Sequence, residues 1–289
     1  MQLQDICYVR LGTSDLESAD RFVRDVLGLE LARQAAGIRH YRSDERDHTL
    51  VYFGGDRGDH TVGLQMRDID ALETAAAVLA GAGHEVLRGS ADECEDRQVQ
   101  AFVSFRAPGG HRIELVAARS GRRRSFRPPF DSRITGFSHV GLCTTDAQSD
   151  ERFWVDVLGA RVSDRIGPAA LLRIDQIHHK IALFPAAHSG VQHINHQLAE
   201  IDDVMRAWYR LRRLKIPIVF GPGRHPTSGA VFLYFRGPDD MVFEYSTGVR
   251  VITAEQEHAH RPRQFSFEPA SFCMWGAVPE VAEFDSSLT

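Results

Sequence analysis

The sequence has no apolar run approaching the roughly 18 residues that a membrane-spanning helix requires, so a membrane protein of that kind is excluded. Its opening segment carries Asp5, Asp15, Glu17 and Asp20 with no apolar core, so a secretory signal is not expected. Cysteine is scarce. Cys7, Cys94, Cys143 and Cys273 are scattered without a Cys-x-x-Cys pair, which excludes a disulfide framework and a zinc knuckle and suits a reducing cytoplasm. Lysine is scarcer still: Lys180 and Lys215 are the only two among 34 basic residues, a bias to which we attach no function. There is no basic excess either, because 39 acidic residues leave a net charge of -5. The one dense basic run, Arg119 to Arg127, lies mid-chain, and a nucleic-acid partner is excluded. With 43% apolar and 25% charged residues, the composition excludes disorder, collagen and coiled coil.

What is present is a duplication. The chain's 289 residues predict two domains at about 150 residues each, and the halves repeat at an offset of about 131. DLESADRFVRDVLGLE (15–30) matches DAQSDERFWVDVLGAR (146–161), so Phe22 falls on Phe153 and Gly28 on Gly159. Each half opens with an alternating apolar strand, ICYVRL (6–11) or FSHVGL (137–142), followed by an amphipathic helix that ends at Gly28 or Gly159. Strand-like runs follow at LVYF (50–53) and KIALF (180–184), and a second strand–helix–strand pattern begins at Thr61 and at His193. The expectation is an α+β protein of four βαβββ modules, near 5–60, 61–117, 136–188 and 191–248. The domains are read as 1–118 and 135–249, with an Arg- and Pro-rich linker at 119–134 and a tail at 250–289.

The duplicate halves act as internal controls, because matched positions share a fold context without having to share chemistry. His139 lines up with Tyr8, His193 with Thr61, and Glu244 in MVFEYS with Glu114 in HRIELV. Two imidazoles and one carboxylate on neighbouring strands make a facial triad of the kind used by non-haem Fe(II) oxygenases, and only the second half has it complete. Taken singly, an inward histidine on a strand reads as a hydrogen-bonded core residue. Three matched positions on equivalent strands, among seven histidines from His139 to His225, outweigh that reading.

GRHPTSGAVFLYFRGPDDMVFE (223–244) resembles the signature of type I extradiol ring-cleavage dioxygenases in the vicinal oxygen chelate superfamily, in its Gly-x-His, Leu-Tyr, Pro and terminal Glu. It departs from that pattern at Gly237 and Asp240, in the turn before Glu244. The resemblance, covering about 5–250, implies the paired βαβββ fold and O2-dependent meta cleavage of a catechol in aromatic catabolism, with a substituted or bicyclic catechol such as 2,3-dihydroxybiphenyl as substrate. It implies His139, His193 and Glu244 as ligands of Fe(II), with Mn(II) the lesser alternative. His179 matches the acid/base histidine, with His178 as competitor, since strand alternation sends these neighbours to opposite faces. His225 and Tyr234 match residues that contact substrate oxygens, and His196 is expected on the face away from His193. The implied partners are the catechol, O2 and further copies in a homo-oligomer, with neither nucleic acid nor membrane, and the setting is cytoplasmic.

Two rival functions remain open. A glyoxalase-like isomerase or transferase of the same superfamily uses a fourth protein ligand, usually a carboxylate ending each module, but no Asp or Glu lies between Asp175 and Glu200. A non-catalytic small-molecule binding protein needs no metal triad. The tail stretch QFSFEPASFCMW (264–275) suits a strap over an apolar core or a cover for an aromatic ligand.

Overall fold

A computed structural model describes residues 1–119 and 124–284. Parts of the expected linker and tail, residues 120–123 and 285–289, lie outside the described residues. The first module comprises β1 (Asp5–Thr13), α1 (Leu16–Arg21), β2 (Glu30–Ala35), β3 (Ile38–Arg42) and β4 (Leu50–Gly54). The second comprises β5 (His60–Met66), α2 (Ile69–Gly81), β6 (Leu87–Arg88), an additional α3 (Ala91–Asp96), β7 (Val99–Arg106) and β8 (Arg112–Ala118). The third runs through β9 (Ile134–Thr144), α4 (Ala147–Arg152), β10 (Arg161–Ile166), β11 (Ala169–Arg173) and β12 (Ile181–Pro185). The fourth runs through β13 (Gly190–Leu198), α5 (Ile201–Arg213), β14 (Ile218–Arg224), β15 (Val231–Arg236) and β16 (Val242–Thr247). The α+β expectation of four βαβββ modules is borne out.

The first helix of each half starts where its sequence says it should. Asp15 and Asp146 accept the backbone N–H of Ser18 and Ser149 at 2.9 and 3.0 Å, satisfying a donor that the helix itself cannot pair. Its end differs from a plain amphipathic helix: α1 passes into a π-helical turn at Phe22–Leu27, and α4 into one at Phe153–Val157. Gly28, at φ 78°, closes the first of these in the left-handed region that glycine enters without steric cost. In both halves the π turn starts at a phenylalanine that reaches across to the other half. Phe22 lies 5.5 Å from Phe243, and Phe153 lies 5.8 Å from Phe105.

Modules pair by laying their first strands side by side. In an eight-stranded sheet ordered β2-β3-β4-β1-β5-β8-β7-β6, β1 and β5 are antiparallel neighbours; in a second sheet, β14-β15-β16-β13-β9-β12-β11-β10 with a ninth strand from the tail beside β10, β13 and β9 are. Each first strand also runs parallel to the last strand of its own module, so the centre of each sheet holds four strands whose positions correspond. One apolar cluster, including Leu64, Leu115, Val140, Trp154 and Leu233, spans both halves. Each such side chain contributes roughly 1.5–3 kcal/mol by leaving water.

The tail is more ordered than its aperiodic sequence suggests. After α6 (Ala254–Glu257), β17 (Arg263–Phe265) pairs in parallel with β10, and α7 (Pro269–Phe272) leads to a short 3-10 turn at Ala282–Phe284. Phe272 and Phe284 then pack into a second apolar cluster with Phe184, Phe220, Phe232 and Tyr234. Met274 and Trp275 stay exposed, so the strap reading of the tail holds for its phenylalanines and not for these two.

Candidate metal and active site

The central strands of the second sheet bring three side chains to one point. His139 on β9, His193 on β13 and Glu244 on β16 are all buried. Their facing atoms form a tight triangle: His139 Nε2 to His193 Nε2 is 3.0 Å, His139 Nε2 to Glu244 Oε2 is 3.0 Å, and His193 Nε2 to Glu244 Oε2 is 3.4 Å. Gly141 makes room, since a Cβ there would overlap the His193 ring. Beyond the triangle, His193 Nδ1–H donates to Gln192 Oε1, which leaves Nε2 unprotonated and aimed inward. Among the described residues, neither Glu244 oxygen accepts a well-formed hydrogen bond despite full burial. A buried carboxylate left in that state is costly unless a cation completes it, and the donor set of two imidazoles and one carboxylate fits a divalent transition metal. Burial opposes charge on Glu244, but His139, His225 and His193 outweigh it and hold the carboxyl well below its usual range. Burial, with His139 and His225 behind it, pulls His193 down to about 3 and keeps it neutral, as a ligand must be.

His179, His225 and Tyr234 surround this triangle. The His179 ring centroid lies 4.3 Å from that of His139. His178 and His179 do not sit on a strand; they occupy the turn before β12, so strand alternation does not sort them. Their rings are perpendicular and their Nδ1 atoms are 3.1 Å apart, while His178 Nε2 lies 3.0 Å from Asp164 Oδ2. If His178 donates from Nε2 to the carboxylate, its Nδ1 accepts from His179 Nδ1–H. His179 Nε2 is then left as a free base. Burial, then His139 and His178, pushes the His179 pKa well below 6.5, so it is neutral at pH 7. His178 was expected only as the competitor of His179, and Asp164 was not expected to act here at all; nothing in the alternating β10 sequence RVSDRI marks it.

His225 Nδ1–H donates to the Phe272 carbonyl at 2.8 Å, which turns Nε2 toward Glu244 Oε1 at 3.6 Å. The Tyr234 hydroxyl donates to the same Nε2 at 3.3 Å. Burial, then Glu244, pushes the Tyr234 hydroxyl well above its ordinary value, so it stays a donor. His196 lies outside the triangle: it packs on Phe137 at 5.9 Å, and neither ring nitrogen has a hydrogen-bond partner among the described residues. The turn before Glu244 tolerates both departures from the signature. A Cβ at Gly237 would strike Phe243 and Phe22, so glycine is required, and Asp239 and Asp240 take left-handed φ values of 52° and 62° that aspartate accepts more readily than most residues.

The first half shows what has replaced the triangle. Glu114 is as buried as Glu244, but Tyr8 donates to it at 2.6 Å and Arg97 Nη2 pairs with it at 2.7 Å. A guanidinium neutralises the carboxylate that the second half leaves open. Strand register also speaks to a fourth ligand. Glu244 stands opposite Asn195 as Ala182 stands opposite Gly141, and the two modules place Phe243 against Ile194 as they place Ile181 against Val140. The position that would supply a second carboxylate is an alanine.

Residues 6–115 and 136–245 each match the Glyoxalase/Bleomycin resistance protein/Dioxygenase superfamily, and the chain belongs to that superfamily. Within it, the chain is 25% identical to an iron-dependent extradiol dioxygenase of Rhodococcus jostii (strain RHA1), over 96% of this chain and 97% of that protein. It is 27% identical to a biphenyl-2,3-diol 1,2-dioxygenase of Pseudomonas sp. (strain KKS102), again over 96% and 97%. Among solved structures, a halotolerant catechol dioxygenase superposes with a TM-score of 0.85 at 24% identity, covering 95% of this chain and 94% of that one, and shows the shared fold. The resemblance to extradiol dioxygenases read from 223–244 is borne out by these relatives.

Proposed function

We propose that this protein is an extradiol dioxygenase that opens a catechol ring with O2 at a metal held by His139, His193 and Glu244. The convergence of those three donors, with neither Glu244 oxygen in a well-formed hydrogen bond among the described residues, supports the reading most directly. A divalent metal bound there, Fe(II) in our reading, supplies one coordination sphere for the two catechol oxygens and O2, because three protein ligands leave the remaining positions open. His179 is placed to take the proton lost as the catechol binds and to return it later, a task suited to an imidazole that is neutral at working pH. Asp164 and His178 hold His179 in the tautomer with Nε2 free. The Tyr234 hydroxyl, held by His225 Nε2, can turn to donate to charge developing on substrate oxygen, with His225 positioning it.

The alanine at position 182 disfavours the four-ligand isomerase reading, and a binding protein without a metal does not account for an open buried carboxylate. The two named relatives both support a catechol substrate, and 2,3-dihydroxybiphenyl is the first compound to try. The test mixes Fe(II)-reconstituted and Mn(II)-reconstituted protein with a panel of mono- and bicyclic catechols in air, following O2 uptake and yellow product. Uptake with the Fe(II) form supports the reading. No uptake with any catechol for either metal overturns it and reinstates the isomerase.

A further inference from the structure

A second group of ligating side chains lies further along the same strand. Cys143 is four residues beyond His139 on β9, on the same face and about 13 Å away at about 3.3 Å per residue. Its thiol meets His188, from the loop joining β12 and β13, and Glu283, from the tail's 3-10 turn; one ligand atom from each lies within 4.8 Å of the others. Cys143 is buried, Glu283 half-buried and His188 exposed, so the group has an inner sulfur and an opening to solvent. We propose that Cys143, His188 and Glu283 form a second metal site, for a thiophilic divalent cation such as Zn(II), that fastens the C-terminal turn beside the His139–His193–Glu244 centre.

The donor chemistry selects the ion. One thiolate, one imidazole and one carboxylate suit Zn(II) or Co(II), with water completing four-coordination, whereas the all-N,O triangle does not discriminate by softness. Binding replaces the S–H bond with a metal–sulfur bond and releases the thiol proton to solvent. The site is coupled to the first through the chain. Gln192 Nε2 donates to Glu283 Oε2 at 3.4 Å while Gln192 Oε1 accepts from His193 Nδ1–H, so one amide joins the tail carboxylate to a residue of the triangle. Glu283 also carries Phe284 with it. That ring packs 4.8 Å from Phe184 and 5.9 Å from Tyr234, both of which lie against His193. A cation at the second site therefore holds an aromatic side chain beside the centre and restricts access to it. The effect on turnover rests on the dioxygenase reading; the binding does not.

The test titrates Co(II) anaerobically into iron-loaded protein and follows the thiolate-to-cobalt charge-transfer absorption, to which the sulfur-free triangle cannot contribute. One equivalent should saturate the band, and Zn(II) should displace it. The band should vanish in Cys143→Ser and in His188→Ala, the latter a change at an exposed residue that leaves the core intact. Zn(II) should slow catechol turnover by at least tenfold in the wild type and leave His188→Ala unaffected. No band at excess cobalt, or a band that survives His188→Ala, overturns the site. A band in protein whose iron-loaded form turns over no catechol before any cobalt is added upholds the site and removes the dioxygenase reading instead.

Discussion

Replacing Asp164 with asparagine separates the two jobs its carboxylate performs. Asp164 is fully buried and accepts from the Arg263 backbone N–H at 2.8 Å and Arg263 Nη2 at 2.6 Å, and it faces His178 Nε2 at 3.0 Å. Asparagine keeps the shape and one acceptor, but presents an NH2 to a second donor and removes the charge. Charge-assisted hydrogen bonds to a buried group are each worth roughly 1.5–3 kcal/mol. The Arg263 side chain is 46% exposed and recovers part of its loss from water, so only the His178 contact counts in full. We therefore expect a loss of about 3 kcal/mol, or roughly 5–10 °C in Tm. Calorimetry measures this, with Arg263→Ala as the control that loosens β17 and leaves the His178 contact in place. If Asp164 orients His178 and thereby His179, Asp164→Asn also lowers kcat by on the order of 10²-fold or more, while Arg263→Ala does not. Burial opposes the charge on Asp164, but His178 and Arg263 hold its pKa well below the usual carboxylate range. Its stabilising contribution is therefore complete above about pH 4 and lost as pH falls further, and that acid limb should flatten in the asparagine variant. A Tm shift with unchanged kcat refutes the orienting role and leaves Asp164 as an anchor for the tail.

The unequal halves predict that His193→Ala loses stoichiometric iron while Thr61→Ala keeps it; equal iron by elemental analysis in both would sink the ligand assignment. His179→Gln should bind metal and catechol, seen by anaerobic spectral titration, yet turn over at least 10²-fold more slowly. Full activity in that variant would move the role to His178. Arg97→Ala strips the cation from a buried Glu114 and should cost about 3–5 kcal/mol, with metal content unchanged. A Tm within 2 °C or so of wild type would mean that Tyr8 alone satisfies the carboxylate.

The triangle was legible because duplication supplied the comparison that a lone sequence lacks: His139 against Tyr8 and His193 against Thr61 could be noticed without any structure. What was illegible depended on where chains that are distant in sequence come together. Asp164 lies on β10 and acts only because the turn before β12 folds His178 onto it, and no periodicity encodes that meeting. The competition between His178 and His179 had no answer from alternation, because alternation belongs to strands and both residues lie in a turn. Arg97 carries no motif at all; its role follows from the geometry of Glu114, which needs a cation wherever the histidines are missing. The same electrostatic requirement thus has two solutions on one fold. A buried carboxylate on the last strand of a module demands a positive partner, an arginine supplied by the chain in the first half and, in our reading, a metal in the second. Arginine saturates its carboxylate and leaves no open coordination, so the first half cannot have kept the chemistry even though it kept the fold, the glutamate and the strand register.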